Sequence, residues 1–167
     1  MSIRLKSLLV VLACLFCCGC QPNYNYEDIL VTKVIDGDTI VLSGGQSLRL
    51  IGIDTPETRI NKRIYWQAQR SQKDVQAIMS LGKKAGSFTR SLVERQRVRV
   101  EFDVEKYDKY NRLLGYVYLK DGSFVNAKII EAGYANLLSI PPNVKYADLF
   151  LRLYQQAREN NRGLWKE

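Results

Sequence analysis

The chain contains no histidine. That removes the commonest metal ligand and the one side chain that ordinarily titrates near neutrality. Triads built on Ser-His or Cys-His are therefore excluded. Cysteine is confined to positions 14, 17, 18 and 20. Beyond residue 20 there can be no disulfide framework and no thiolate zinc site. Long hydrophobic runs are also missing. The best of them, "LLVVLACLFCC" from Leu8 to Cys18, is too short to span a bilayer comfortably. Any catalysis must use carboxylates, Arg, Lys, Tyr or a metal held by oxygen.

What is present suits one domain. The 167 residues are 46% hydrophobic, enough for a real core. The formal charge of +8 points to an anionic partner: nucleic acid, a membrane surface or a phosphorylated ligand. Solubility alone is the plainer reading. There is no internal repeat and no sign of a second domain.

The N-terminus reads as an export signal. Two positive charges in "MSIRLKS" precede the apolar run, the order expected of a secretory signal at residues 1–19. "CCGC", ending at Cys20, resembles the lipobox of bacterial lipoproteins, with Cys17 where Leu is usual. "VLAC", ending at Cys14, competes, and an uncleaved anchor or an ordinary signal are the other readings. The longer apolar run and the polar "QPNYNYED" after it favour lipidation at Cys20. Residues 20–27 are then a polar tether and 28–167 the folded domain. Cleavage before Cys20 leaves 148 residues and, with Arg4 and Lys6 removed, a charge of +6. The expected location is the bacterial cell envelope, periplasmic or at the outer surface, or the medium if no anchor is made.

Strand signals follow. "ILVTKVID" and "TIVL" are β-branched runs separated by the turn residues Asp36-Gly37-Asp38. "SGGQ" makes the next turn. "SLRLIGI" is partly apolar on both faces, which suits a small closed barrel. Residues 60–82 are polar and basic, with only Asp74–Leu81 assigned as helix. Ala85, Phe88, Leu92 and Val93 share one face of a clearer helix. In "RVRVEFDV", Val98, Val100, Phe102 and Val104 face one way. "EKYDKYNR" is a charged loop, "LLGYVYL" a strand and "FVNAKIIEAG" a short helix closed by Gly133. "YANLL" is a last short strand, and a final helix carries Tyr146, Leu149, Phe150, Leu153 and Ala157 on one stripe. The order predicts an α+β fold: a small β-barrel of about five strands, OB-like, with three helices.

The acids of "VIDGDTIVLSGGQSLRLIGIDTPETR" need explanation. Asp36-Gly37-Asp38-Thr39 can be a hairpin turn, and Asp54-Thr55-Pro56-Glu57 a turn or a helix start. Taken together they say more. Strand order brings Asp38 towards Asp54, and like charges brought close need a cation between them. An oxygen-liganded hard cation, Arg49, or both could supply it. Arg49 and Arg112 carry the fork that binds phosphate oxygens, although Arg112 alone could be a solvated loop charge.

"VIDGDT", "RLIGIDTPE", "DKYNRLLGYVY" and the ending "ARENNRGLW" resemble the staphylococcal nuclease (thermonuclease) family, in order and over most of the chain from Ile29 to Trp165. The resemblance implies a five-stranded OB-type Greek-key barrel with three helices and a Ca²⁺-dependent phosphodiesterase. It implies Asp38, Asp54 and the Thr55 carbonyl as calcium ligands, with Asp36 beside them. Glu57 becomes the general base, Arg49 and Arg112 the phosphate grip, and Lys109 and Tyr110 neighbours of the nucleotide. Asn111 stands where the family has Gly, and Asn also tolerates left-handed backbone. Ser139 and Pro141 stand where two tyrosines line the family's nucleotide pocket. The segment 58–82 is long for the family and reads as an insertion rather than a substrate-facing flap. The expectation is a monomeric, exported nuclease acting on DNA and, as a further candidate, RNA. The alternatives are a non-catalytic OB-fold nucleic-acid-binding lipoprotein and an envelope lipoprotein for a small phosphorylated ligand.

Overall fold

A computed structural model describes residues 24–166. The readings placed on residues 1–19, Cys14 and Cys20 lie outside the described residues. Of the stretch read as a tether, Tyr24 and Tyr26 lie against the barrel. The Tyr26 hydroxyl donates to Gln46 Oε1 at 2.9 Å, and its ring meets Phe102 edge-on at 4.9 Å.

The chain forms β1 (Ile29–Val34), β2 (Thr39–Leu42), β3 (Ser47–Leu50), β4 (Gly52–Asp54), α1 (Lys62–Ser71), α2 (Val75–Val93), β5 (Arg97–Glu101), β6 (Leu113–Leu119), α3 (Val125–Glu131), β7 (Asn136–Leu138) and α4 (Ala147–Glu159), with a short 3₁₀ turn at Gly163–Trp165. Five strands close a barrel in the order β1-β2-β3-β6-β5. The β3–β6 pair is parallel, Leu48 opposite Leu113 and Leu50 opposite Gly115. The other pairs are antiparallel. Val31, Ile40, Leu42, Leu48 and Val117 are fully buried inside, as the period-2 pattern of their strands requires. The expected five-stranded barrel is what forms.

Three details differ from expectation. First, "SLRLIGI" is not one strand. It breaks after Leu50, and Gly52 takes φ +84°, a left-handed conformation that glycine adopts without steric cost. A β-carbon there would also lie 2.4 Å from the Phe150 ring. The break lets β4 leave the barrel and pair with β7, Asp54 opposite Asn136. Second, the described residues form four α-helices rather than three. The added one, α1, starts at Asn61, whose side chain accepts from the Ile64 amide at 2.9 Å. Its apolar signal is faint because only Ile64 is buried. The two helical stretches expected after it are one helix, α2, capped by Asp74, which accepts from the Ala77 amide at 2.7 Å. Third, β5 ends at Glu101, so Val104 is not on its inner face but 72% exposed.

One buried side chain joins the parts. Asn126 of α3 is fully buried. Its Nδ2 donates to the Ile51 carbonyl at 2.9 Å, and its Oδ1 accepts from the Val117 amide at 3.0 Å. It thereby fixes α3 to the residue at the β3–β4 break and to β6. Asn126→Leu keeps the volume but strands buried backbone groups, each costing about 1–3 kcal/mol. We expect urea unfolding to show a loss of about 3 kcal/mol. An unchanged midpoint would mean that these bonds do not hold the helix.

Candidate active site

The two acidic turns meet at one rim of the barrel. Asp38 precedes β2 and is 2% exposed. Its Oδ2 accepts from the Thr55 amide at 2.8 Å and from the Thr55 hydroxyl at 3.0 Å. Its Oδ1 accepts from the Thr39 hydroxyl at 3.0 Å and from the guanidinium of Arg49. One carboxylate thus ties the first turn to the second. The approach is close: a β-carbon on Gly37 would fall 2.6 Å from Thr55 Cγ2. Thr89 of α2 clamps the same turn, its hydroxyl donating to the Gly37 carbonyl at 2.7 Å.

Arg49 is on β3, opposite Thr39 across the ladder. Besides Asp38, it donates to Asp54 Oδ1 at 3.0 Å. The convergence of Asp38 and Asp54 expected from the strand order is therefore present, with Arg49 bridging them. Burial is the largest influence on the Asp38 carboxyl and pushes it up. The Arg49 charge and the Thr55 amide oppose that rise, and Asp36 adds to it.

Glu57 lies next to this pair and is held by groups that sequence reasoning did not single out. Asn61 Nδ2 donates to Glu57 Oε2 at 3.0 Å. Arg63 Nε pairs with Glu57 Oε1 at 3.2 Å, and Arg63 Nη2 binds Asp54. Gln67 Oε1 accepts from the Glu57 amide at 3.1 Å. All three come from α1 or its cap, inside the segment read as an insertion. The available signal was the cap: Asn61 stands three residues before Ile64, the sole buried residue of the helix.

Arg112 closes a turn built on Asp108. Asp108 Oδ1 accepts from the amides of Tyr110 and Arg112, both at 2.9 Å. Its Oδ2 accepts from Arg112 Nε at 2.7 Å. Partial burial would raise the Asp108 carboxyl, but these bonds outweigh it and hold it below the usual range. Asn111 has φ +60°, the left-handed geometry expected where the family has glycine. Tyr110 is 69% exposed. Lys109 Nζ lies 5.1 Å and Arg112 Cζ 5.6 Å from the Tyr110 ring.

A cleft of about 380 Å³ runs between these groups, with Arg49, Arg63, Lys109, Tyr110 and Arg112 on its walls. Leu138 and Ile140 line it as well. Ser139 and Pro141 are exposed on the same segment without lining it. Among the described residues no three His, Cys, Asp or Glu side chains gather as a metal cage. The arrangement offers three guanidiniums to an anionic ligand, backed by carboxylates able to hold a cation or accept a proton.

A small closed barrel with arginines lining a cleft in front of an acidic rim is a domain suited to an anionic ligand. Comparison with known sequences supplies the family. The profile described as Staphylococcal nuclease homologue matches residues 47–167, and the chain belongs to that family. It is 39% identical to a thermonuclease of Staphylococcus intermedius over 143 residues, 84% of this chain and 77% of that protein. It is 34% identical to a thermonuclease of Staphylococcus hyicus, over 86% of this chain and 78% of that one. A prophage-derived endonuclease of Bacillus subtilis is 30% identical over 84% of this chain and 44% of its own length.

The contact between the two turns can be tested. Gly37→Ala overpacks against Thr55, which is 4% exposed and β-branched, so it has little room to yield. We expect a loss of about 2 kcal/mol in urea unfolding. Thr55→Ser removes the crowding methyl and should restore part of that loss in the double variant. Strictly additive effects would show that the two residues do not press on each other.

Proposed function

We propose that the protein is an exported Ca²⁺-dependent nuclease that hydrolyses DNA and, as a further substrate, RNA. The observation that carries this reading is one cleft bearing Arg49 and Arg112, with Asp38, Asp54 and Glu57 immediately behind its wall. The relatives' names, thermonuclease and endonuclease, support it.

The donor set fits a hard cation. Asp38 and Asp54, from separate turns, converge on a single guanidinium, so the rim accommodates positive charge between two carboxylates. With no histidine or thiolate available, the donors are oxygens, the preference of calcium. Asp38, Asp54 and the Thr55 carbonyl would hold the ion, and water or phosphate oxygens would complete its shell. When bound, it supplies Lewis-acid polarisation of the phosphodiester.

The chain's own residues do the rest. Arg49 and Arg112 take the non-bridging oxygens of the scissile phosphate and stabilise charge that grows there in the transition state. Glu57, oriented by Arg63 and Asn61, accepts the proton of the attacking water. Water adds to phosphorus as the P–O5′ bond breaks, and the departing 5′-oxygen takes a proton from solvent, leaving a 3′-phosphate and a 5′-hydroxyl. Lys109 and Tyr110 flank the nucleotide. The charge of +6 left after Arg4 and Lys6 are removed from the +8 of the full chain attracts the polyanion and makes binding salt-dependent.

Cleavage of single- and double-stranded DNA should occur with calcium and stop on chelation. Glu57→Gln should lower kcat about 100-fold or more, the usual worth of a general base, while leaving DNA affinity within about twofold. Activity unaffected by chelation removes calcium from the mechanism. Tight DNA binding without cleavage would instead favour the non-catalytic binding module. Export and anchoring at Cys20 rest on the N-terminal pattern alone. The intact mass of the mature protein should show a chain that begins at a lipidated Cys20; a chain beginning at Met1, or one modified at Cys14, overturns this.

A further inference from the structure

Helix α1 does more than position Glu57. Its buried side is a single residue, Ile64. Its opposite side carries Trp66, 54% exposed, although an indole contributes to the fold only through the part of its surface that is covered. Arg63, Trp66 and Arg70 stand at positions i, i+3 and i+7, which share one helix face. The Arg70 guanidinium carbon lies 5.2 Å from the centre of the Trp66 ring. The first member of this row, Arg63, lines the cleft beside Arg49 and Arg112. The row therefore starts at the cleft and runs away from it, with Arg70 about 10 Å beyond Arg63 along the helix axis.

We propose that this face of α1 is a binding site for the single strand that flanks the scissile linkage, with Trp66 stacking on a base and Arg70 taking a neighbouring phosphate. An exposed aromatic ring with the Arg70 guanidinium beside it matches the two chemical faces of a single-stranded polynucleotide, the flat base and the anionic backbone. Stacking of this kind tolerates any base, so the site adds affinity for long substrates without adding sequence preference. It also gives the segment 58–82 a substrate-facing role in place of a neutral insertion. The site rests on the nuclease reading, because it supplies the strand's exit from that cleft.

The test uses the full chain with the metal chelated, so that binding is read without cleavage. The protein has two tryptophans, Trp66 and Trp165, so its fluorescence reports on few positions. Titration with a single-stranded DNA of about 12 nucleotides, within the usual span of such sites, should quench the emission. Trp66→Phe should abolish the quench yet bind nearly as well, since phenylalanine still stacks. Trp66→Ala should weaken binding about tenfold, within the range for loss of one base stack. Arg70→Gln should lower the salt slope of binding by about 0.7, one phosphate contact on a single strand. With calcium restored, cleavage of a dinucleotide, too short to reach Trp66, should be unchanged in all three variants. Full affinity in Trp66→Ala, or an emission that DNA does not alter in the wild type, overturns the site while leaving the nuclease reading intact. So does loss of affinity for anionic lipid vesicles, but not for DNA, in Trp66→Ala, which would make the patch a membrane contact. A wild-type protein that with calcium cleaves neither the dinucleotide nor long DNA overturns the nuclease reading, and this site with it.

Discussion

The site depends on one buried carboxylate. Asp38 accepts two hydrogen bonds from Thr55, one from Thr39 and an ion pair from Arg49. A charged group this deeply buried is stable only when its bonding capacity is filled. Filling it forces the turn before β2 against the turn after β4, and Gly37 supplies the room. Everything chemical at the rim follows from that junction. Asp54 is drawn to the other arm of Arg49, and Glu57 is set beside it. An acid cluster costly in isolation becomes the place where positive charge is welcome.

Around this junction the barrel acts as a frame. Its closure through the parallel β3–β6 pair sets Arg49 and the start of β6 side by side, Arg49 opposite Leu114. The loop that ends in Arg112 leads directly into β6, so Arg112 reaches the same cleft from the other wall. Asp108 then fixes its guanidinium by bonding side chain and backbone together. Two arginines separated by more than sixty residues in sequence are in this way brought to one cleft. Their carboxylate partners hold both guanidiniums in place, which on the proposed reading lowers the ordering cost at binding.

Much of this was legible in the sequence because it was written in local signals. Alternating β-branched runs gave the barrel strands, the Asp-Gly-Asp turn gave the first half of the site, and four ordered stretches gave the family. Asn111 in the left-handed region follows from its place in a tight turn. What stayed hidden had weak local signals. Helix α1 buries one residue, so no apolar stripe announced it. Ser47 to Ile53 looked like continuous strand because both conformations of Gly52 are open to it, and only packing against Phe150 and pairing with β7 select one.

The sequence by itself determined the elements, the basic balance, the absence of imidazole and thiol chemistry from the folded part, and the residues able to meet a phosphodiester. These depend on side-chain type and on short-range periodicity. Only the tertiary structure decided who touches whom: Arg49 as the bridge between Asp38 and Asp54, Arg63 and Asn61 on Glu57, and Trp66 left exposed on a row that begins at the cleft. The physical reason is that each such contact joins segments brought together by barrel closure and helix docking, and the direction of a long side chain is set by the neighbours it meets rather than by its own sequence.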